Sequence, residues 1–226
     1  MLHGIKACVF DAYGTLLDFS SAAARCPDIP DEKRTALTTL WRDKQLQYTW
    51  LRTLQGRYAD FWQVTGDALD FALDSLAIAS PQRRARLMEL YLTLDTFPEV
   101  RGVLRQLREA GFKTAILSNG SPAMLDAAVR TNSLDGLFDA VLSVDALMVF
   151  KTHPRVYAYA LETLGMRAEE VSFQSSNGWD AYAASDFGMQ VVWCNRYGQR
   201  PERLPGAPDH EIRTLAELPA LLEPPA

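Results

Sequence analysis

Four apolar runs of the sequence end in side chains that can act as nucleophile, acid, base or hydrogen-bond donor. In chain order these side chains are Asp11 and Thr15; Ser118 and Asn119; Lys151; and Ser175, Asn177 and Asp180. Taken alone, a polar residue after a strand is most simply a turn or a helix cap. In an open parallel sheet, however, the carboxyl ends of the strands lie at one edge, and ligands bind there. The sequence therefore predicts one polar site that contains two carboxylates and an ammonium group.

The elements that must position this site alternate between strand and helix. A first strand is predicted over residues 5–10. After Pro98 the sequence predicts helices over 100–110, 122–131, 154–164 and 181–188, and strands over 112–117, 138–144, 171–175 and 190–194. This alternation is typical of a parallel sheet with helices on both faces. We therefore predict an α/β fold with a doubly wound parallel sheet, and we expect the tail from Gln199 to wrap the surface.

A region without strand signals interrupts this alternation after the first strand. Helices are predicted there over residues 31–54, 57–64, 67–78 and 80–94. Ser80 and Pro81 are suitable for the N-cap and the first position of the last of these helices. The predicted organisation is a Rossmann-like core domain of residues 1–15 and 98–226, with an inserted all-helical cap domain of residues 16–97.

Composition and charge argue against several classes of partner. The 226 residues carry a formal net charge of −5, with basic and acidic residues interspersed, so no basic stripe indicates nucleic acid or an anionic membrane. No apolar run approaches the ~18 residues that span a bilayer, and no signal peptide is recognised. Cys8, Cys26 and Cys194 lack metal-binding or disulfide spacing and are expected to be reduced thiols. We expect a soluble, cytoplasmic protein with neither nucleic-acid nor membrane partners.

The order of the polar motifs resembles the haloacid dehalogenase superfamily. The motifs are Phe-Asp-x-x-Gly-Thr at residues 10–15, Ser-Asn-Gly at 118–120, then Lys151, and then a Ser/Asn-rich loop that ends at Asp180. Within that superfamily, the residues in and around these motifs most resemble those of the L-2-haloacid dehalogenases. This likeness includes the helical insert. The stretches that carry it are residues 10–17, 41–46, 57–62, 117–120, 150–154 and 175–180.

Tyr13 distinguishes this sequence from the phosphatases of the same superfamily. Those enzymes carry a second Asp two positions after the nucleophile, as the acid that protonates an alcohol leaving group, and Tyr13 stands there in this sequence. A halide leaves without a proton, and displacement at carbon does not need the metal that phosphoryl transfer uses. The resemblance therefore implies an enzyme with no cofactor and no metal, in which Lys151 is the cation beside Asp11 and Asp180.

The resemblance also implies a mechanism and a role for each site residue. Asp11, kept ionised by Lys151, attacks the halogen-bearing carbon of a short L-2-haloacid, forms an ester and inverts the centre. Water activated by Asp180 then hydrolyses the ester to give the D-2-hydroxy acid. The other implied roles are catalytic support by Thr15, Ser175 and Asn177; binding of the substrate carboxylate by Ser118 and the backbone at Ala12; a halide cradle of Arg42, Asn119 and Trp179; an alkyl pocket of Tyr13, Leu46, Phe61 and Trp179; and orientation of Lys151 or Asp180 by Tyr157.

Two positions depart from the family pattern and leave alternatives open. Thr152 replaces the usual Pro after Lys151, and Gln174 replaces an aliphatic residue inside a strand. A buried amide without a partner costs roughly 1–3 kcal/mol. The alternatives are a Mg²⁺-dependent small-molecule phosphatase of the same superfamily and a catalytically impaired relative that binds an acid or a partner protein. The family's habit further implies a homodimer.

Overall fold

The computed structural model describes residues 1–225 and is organised around a six-stranded parallel sheet. The strands are β1 (Ala7–Phe10), β2 (Lys113–Ser118), β3 (Ala140–Ser143), β4 (Val171–Ser175), β5 (Gln190–Cys194) and β6 (His210–Ile212). Their order across the sheet is β3-β2-β1-β4-β5-β6, and each neighbouring pair is parallel. The order reverses between β1 and β4, and right-handed crossovers then place helices on both faces. The predicted α/β fold with a doubly wound sheet is confirmed.

Within residues 1–225, eight α-helices surround or extend from this sheet. They are α1 (Ser21–Ala24), α2 (Asp31–Gln55), α3 (Phe61–Ser75), α4 (Pro81–Leu92), α5 (Val100–Glu109), α6 (Pro122–Thr131), α7 (Pro154–Leu164) and α8 (Gly178–Asp186). Short 3-10 helices cover Val144–Leu147, Ala168–Glu170 and Leu215–Leu221. Strands β1 and β4 are buried along their whole length, as expected for central strands with both faces covered.

The chain leaves the sheet before α1 and returns to it after α4, and the two crossings lie side by side. Leu17 and Thr96 form an antiparallel bridge. On either side of it the Asp18 backbone N–H donates to the Asp95 carbonyl (2.8 Å) and the Phe97 N–H donates to the Leu16 carbonyl (3.1 Å). We call this paired crossing the hinge; it lies near the ends of the helical segment predicted over residues 16–97, and the division into core and cap stays a prediction.

The two short helices predicted over residues 57–64 and 67–78 are wrong, because a single helix, α3, replaces them. Asp60 caps α3, since its side chain accepts a 2.8 Å hydrogen bond from a backbone N–H of the first turn. Gly66 lies inside the helix rather than between two helices. A Cβ at Gly66 would lie 2.9 Å from the flexible end of the Arg84 side chain and 3.6 Å from the Met88 side chain, and the packing of α3 as a whole outweighs the low helix propensity of this glycine.

The tail also differs from its prediction as a surface wrap. Residues 210–212 form the edge strand β6, which pairs with β5 from Val192↔His210 to Cys194↔Ile212. Leu215 and Leu218 follow it and are fully buried. A three-residue strand is too short to show the alternation by which strands are recognised, so the sequence pattern did not reveal it. None of the helices in residues 1–225 combines the length and apolarity that a membrane crossing needs.

Candidate active site

A buried lysine lies between two carboxylates at the carboxyl edge of the sheet. The Lys151 Nζ lies 3.0 Å from Asp11 Oδ1 and 2.8 Å from Asp180 Oδ2. The exposed fractions of the three residues are 1% for Lys151, 5% for Asp11 and 0% for Asp180. Strands β1 and β4 are neighbours, so the segments that follow them lie side by side and Lys151 reaches both. The charges form a single buried cluster.

The charge states of this cluster follow from its mutual contacts. Burial by itself disfavours the Lys151 ammonium, but the charges of Asp11 and Asp180 outweigh burial, and the pKa of Lys151 is raised above its usual value. Burial raises the pKa of Asp180 above the ordinary range for an aspartate, and the Lys151 ammonium opposes this shift. Lys151 is therefore a fixed cation, whereas the Asp180 carboxylate is a stronger base than an exposed aspartate.

Both oxygens of Asp11 are held by side-chain donors. Oδ1 accepts from Lys151, and Oδ2 accepts from the Thr15 hydroxyl (3.0 Å) and from the Asn177 amide (2.8 Å). The Thr15 hydroxyl oxygen in turn accepts from the Ser176 backbone N–H at 2.7 Å. The carboxylate orientation is thus set by three donors from three different segments of the chain.

The segment around Asp180 is helical earlier than the sequence predicts. Helix α8 begins at Gly178 and not at residue 181, so Asp180 lies in its first turn with Asn177 as the N-cap. Glycine lowers helix propensity, which is why the pattern moved the predicted start past it. The Asn177 N–H donates to the Ser175 hydroxyl (3.1 Å), so Ser175 shapes this turn from the end of β4.

Tyr157 joins the cluster from helix α7. Its hydroxyl donates to Asp180 Oδ1 at 2.8 Å, so of the two partners considered for it Asp180 is the one it contacts. Burial, followed by the Asp180 charge and this hydrogen bond, raises the pKa of Tyr157 well above its usual value. Tyr157 is therefore a neutral phenol that donates to the Asp180 carboxylate.

Arg42 brings a cation to the site from helix α2. Its Nη2 lies 3.3 Å from the Tyr13 carbonyl and 3.3 Å from Asn177 Oδ1, and its Nη1 donates to Gln45 at 2.8 Å. Gln45 is buried and donates to Thr65 (2.7 Å) and to the Tyr91 hydroxyl (3.1 Å). The sequence reasoning missed this support of Arg42, although Gln45 lies three residues along the same helix and hence on the same face.

The residues predicted to line one alkyl pocket divide into two groups. Tyr13 and Phe61 are buried with ring centroids 5.4 Å apart, and Tyr13 also stacks on Tyr91 at 5.6 Å. Leu46 and Trp179 instead line an outer cleft of about 360 Å³, together with Arg42 and Asn177. The first group is an apolar wall beside Asp11, and the second surrounds the opening at Arg42.

Ser118 and Asn119 are buried at the end of β2. The Ser118 hydroxyl accepts from the Gly120 N–H at 3.0 Å. Asn119 Oδ1 accepts from the Lys151 backbone N–H at 3.0 Å, so Asn119 anchors the loop that carries the lysine. The carbonyl of Ala12 accepts the N–H groups of Leu16 and Leu17 at 2.9 Å each, which closes the turn after Asp11.

Gln174 is fully buried in β4, directly before the catalytic segment. Its Nε2 donates to the Ser172 hydroxyl at 2.5 Å, while its Oε1 has no partner among the described residues. Asp11 nevertheless receives its backbone hydrogen bond across the sheet, from its own N–H to the Gln174 carbonyl at 2.9 Å. The departure from the family pattern therefore concerns stability and leaves the carboxylate cluster assembled.

This unpaired amide oxygen gives a stability prediction. We expect the double variant Ser172→Ala with Gln174→Met to be more stable than the wild type by about 1 kcal/mol, because it removes a buried acceptor and its partner together. Unfolding in urea measures the change, and Gln174→Met alone, which leaves the Ser172 hydroxyl unpaired, is the control and should gain less. A double variant less stable than the wild type would show that the amide is satisfied in solution.

Comparison with known proteins places this geometry in a family. The family model of the haloacid dehalogenase-like hydrolases matches residues 5–188. The chain belongs to this family. The chain is 44% identical to (S)-2-haloacid dehalogenase 4A of Burkholderia cepacia, over 98% of this chain and 96% of that protein. It is 46% identical to (S)-2-haloacid dehalogenase 1 of Pseudomonas sp. (strain CBS-3), over 96% of each. The predicted family is confirmed.

This haloacid dehalogenase-like hydrolase is also similar to a solved structure that holds an acid covalently bound. The L-2-haloacid dehalogenase from Xanthobacter autotrophicus with chloropropionic acid covalently bound superposes with a TM-score of 0.89 at 41% identity. The match covers 96% of this chain and 98% of that chain. The likeness spans both the sheet and the helical segment.

Proposed function

We propose that this enzyme hydrolyses short L-2-haloacids to D-2-hydroxy acids and halide, through an ester on Asp11 and without a metal. The observation that carries the proposal is the buried Lys151 ammonium held between Asp11 and Asp180. An ammonium in that position keeps a carboxylate nucleophile ionised. Two relatives bear the name (S)-2-haloacid dehalogenase, and the Xanthobacter enzyme holds its chloropropionic acid covalently.

In the first half-reaction, an Asp11 oxygen forms a bond to C2 of the substrate while the carbon–halogen bond breaks and the halide leaves with the electron pair. Attack from the face opposite the halogen inverts the centre. We assign Ser118 and the backbone at Ala12 to the substrate carboxylate, and Tyr13 and Phe61 to the alkyl group. Arg42, with Asn119 and Trp179, is assigned to the departing halide, for which a fixed cation supplies charge stabilisation.

In the second half-reaction, water attacks the carbonyl carbon of the Asp11 ester and gives a proton to Asp180. The bond between that carbonyl carbon and the ester oxygen then breaks, and the alcohol leaves with its oxygen still bonded to C2 and takes up the proton from Asp180. The second proton of the water passes to solvent, and Asp11 regains a carboxylate. Thr15 and Asn177 donate to Asp11 Oδ2, and Lys151 donates to Oδ1. These preorganised donors would stabilise the negative charge that develops on the ester oxygen.

A halide-release assay tests the proposed function directly. We expect release from L-2-chloropropionate in the presence of EDTA, at least about 100-fold faster than from the D isomer, because the stereocentre must present its halogen away from Asp11. A chiral separation should show D-lactate as product. Release from the D isomer alone, or a requirement for Mg²⁺, would contradict the proposal. Mg²⁺-dependent hydrolysis of a generic phosphate ester would favour the phosphatase, and binding of the acid without turnover would favour the impaired relative.

The contact between Tyr157 and Asp180 predicts a shift in the pH profile. Asp180 must be ionised to accept a proton, so kcat falls as the pH falls through its pKa, which lies above the ordinary value. Tyr157 donates to the ionised form and so lowers that pKa. We expect Tyr157→Phe to move the acid limb of the kcat profile to higher pH by roughly one unit. Tyr159→Phe, on the same helix but less buried, should leave the limb in place, and an unshifted or downward-shifted limb in Tyr157→Phe would refute the assignment.

We also propose that the enzyme is a cytoplasmic homodimer. The supporting observation is a set of partly exposed apolar side chains on α2 and α3, with exposed fractions of 37% for Trp50, 45% for Leu51, 83% for Leu54 and 40% for Phe71. An exposed apolar patch of this kind marks an interaction surface. The monomer mass is 25.3 kDa, so light scattering should give twice that value.

A further inference from the structure

Arg196, two residues beyond β5, lies at the hinge between the sheet and the helical segment. Its side chain is 8% exposed. Its Nη2 donates to the Thr15 carbonyl at 2.9 Å and pairs with the Glu99 carboxylate at 2.6 Å. The centre of its guanidinium lies 3.9 Å from the centroid of the Phe97 ring. One buried side chain therefore makes a hydrogen bond, an ion pair and a cation–π contact.

These three contacts reach both crossings of the hinge. Thr15 precedes the outgoing crossing at Leu17, and Phe97 with Glu99 follows the returning crossing at Thr96, which is bridged to Leu17. Arg196 thus ties the two crossings to each other and to the end of β5. One arm of the guanidinium fork, Nη2, serves both acceptors while the face of the group lies over the Phe97 ring, whereas an ammonium is a point charge without such a face.

Thr15 connects Arg196 to the nucleophile Asp11 through its carbonyl and its hydroxyl. Arg196 holds the carbonyl of Thr15, and the hydroxyl of the same residue donates to Asp11 Oδ2 at 3.0 Å. Gly14, which precedes Thr15, has φ = +92°, a conformation that only glycine adopts without strain. Inside the turn the Thr15 N–H donates to the Ala12 carbonyl at 3.2 Å, and Arg196 adds a contact from outside the turn, to the Thr15 carbonyl.

The partner of Arg196 is itself anchored. Burial would raise the pKa of Glu99, but a backbone hydrogen bond and then Arg196 outweigh it, and the pKa of Glu99 lies below its usual value. Glu99 also accepts from the Leu215 backbone N–H at 3.3 Å. The ion pair therefore remains formed at neutral pH and is attached to the 3-10 helix near the end of the chain.

We infer that Arg196 is a positioning residue for dehalogenation, which holds Thr15 so that its hydroxyl orients the Asp11 carboxylate for attack on carbon. Nothing in the four-motif pattern marks this position. The inference rests on the proposed function and adds a fifth strand end, that of β5, to the four that carry the site. It assigns Arg196 no contact with the substrate, so the effect on substrate binding should be small.

A double-mutant cycle between Arg196 and Thr15 tests this inference. The rate of the halide burst in a single turnover with L-2-chloropropionate reports ester formation at Asp11. We expect Arg196→Ala to lower this rate roughly tenfold, since small misplacements of a reacting group are costly, while KM changes less than about twofold. In a Thr15→Val background, where the hydroxyl is already absent, Arg196→Ala should lower the rate less than about twofold further. Arg200→Ala, an exposed arginine of the same tail, is the matched control and should match the wild type.

The outcomes separate the inference from the function on which it rests. Arg196→Lys, which retains the charge but not the fork, should recover part of the loss and serves as the test variant if Arg196→Ala does not fold. A wild type that releases no halide would overturn the proposed function and the inference together. An active wild type with Arg196→Ala unchanged, with an effect on KM alone, or with equal fold losses in both Thr15 backgrounds would overturn the inference only.

Discussion

Replacing Asp11 by Asn is expected to abolish halide release, with a loss of at least about 10⁴-fold in kcat, because an amide oxygen is a poor nucleophile and nothing else in the cluster can replace it. Asp180, the other carboxylate of the cluster, is fully buried and is held by Lys151 at 2.8 Å and by Tyr157 at 2.8 Å, so it cannot move to the position of Asp11. The fold should persist, since Asn has the shape of Asp and can still accept from Thr15. Steady-state halide release and circular dichroism check the two expectations.

A labelling experiment shows whether Asp11 gives its own oxygen atom to the product in the wild type. After one turnover in H₂¹⁸O, hydrolysis at the ester carbonyl leaves the label in the Asp11 carboxylate and not in the first molecule of product. Asp135→Asn, an exposed aspartate after α6, should retain full activity and full labelling of Asp11. Label in the hydroxy acid after one turnover would instead mean that water attacks the substrate carbon, and would exclude the ester.

The site residues that the sequence alone could place are those whose position follows from a nearby strand. Asp11 and Asp180 follow parallel strands and Ser118 ends one, so strand order alone brings them to one edge. The resemblance then selected Lys151 and Arg42, which neither periodicity nor capping distinguishes from surface charges. Their positions depend on how a loop and a distant helix return to the sheet.

The features that the sequence did not reveal depend on packing between distant segments. Gln45 lies on the buried face of α2, four residues after Trp41, and a polar side chain is accommodated there because Thr65 and Tyr91 supply hydrogen-bond partners. In the sequence Arg196 looks like the other arginines near the tail, and only the fold brings Thr15 and Glu99 into contact with it. No local pattern encodes such pairs, whereas a helix start such as Pro81 with Ser80 as N-cap is local and was predicted correctly.

The second large effect is expected at Lys151, and it concerns both activity and stability. Lys151→Met leaves Asp11 and Asp180 buried without their cation, and two such carboxylates cannot both remain ionised. The proton that they share makes Asp11 a weaker nucleophile, so we expect kcat at neutral pH to fall by about 10³-fold or more. Breaking a buried ion cluster by removing one partner also destabilises a protein by about 3–5 kcal/mol.

The pH dependence of the variant distinguishes this cause from simple loss of structure. In the wild type the pKa of Lys151 is raised, so its stabilising charge is complete below the usual lysine pKa and declines only as the pH rises through the raised value. The residual kcat of Lys151→Met should therefore increase with pH across the neutral range as the pair of carboxylates loses its shared proton, whereas we expect the wild-type profile to be flat there. Adding Asp180→Asn should restore most of the lost stability, measured by urea unfolding, without restoring turnover. A Lys151→Met enzyme with wild-type kcat and stability would mean that the ammonium neither ionises the nucleophile nor balances the buried charges.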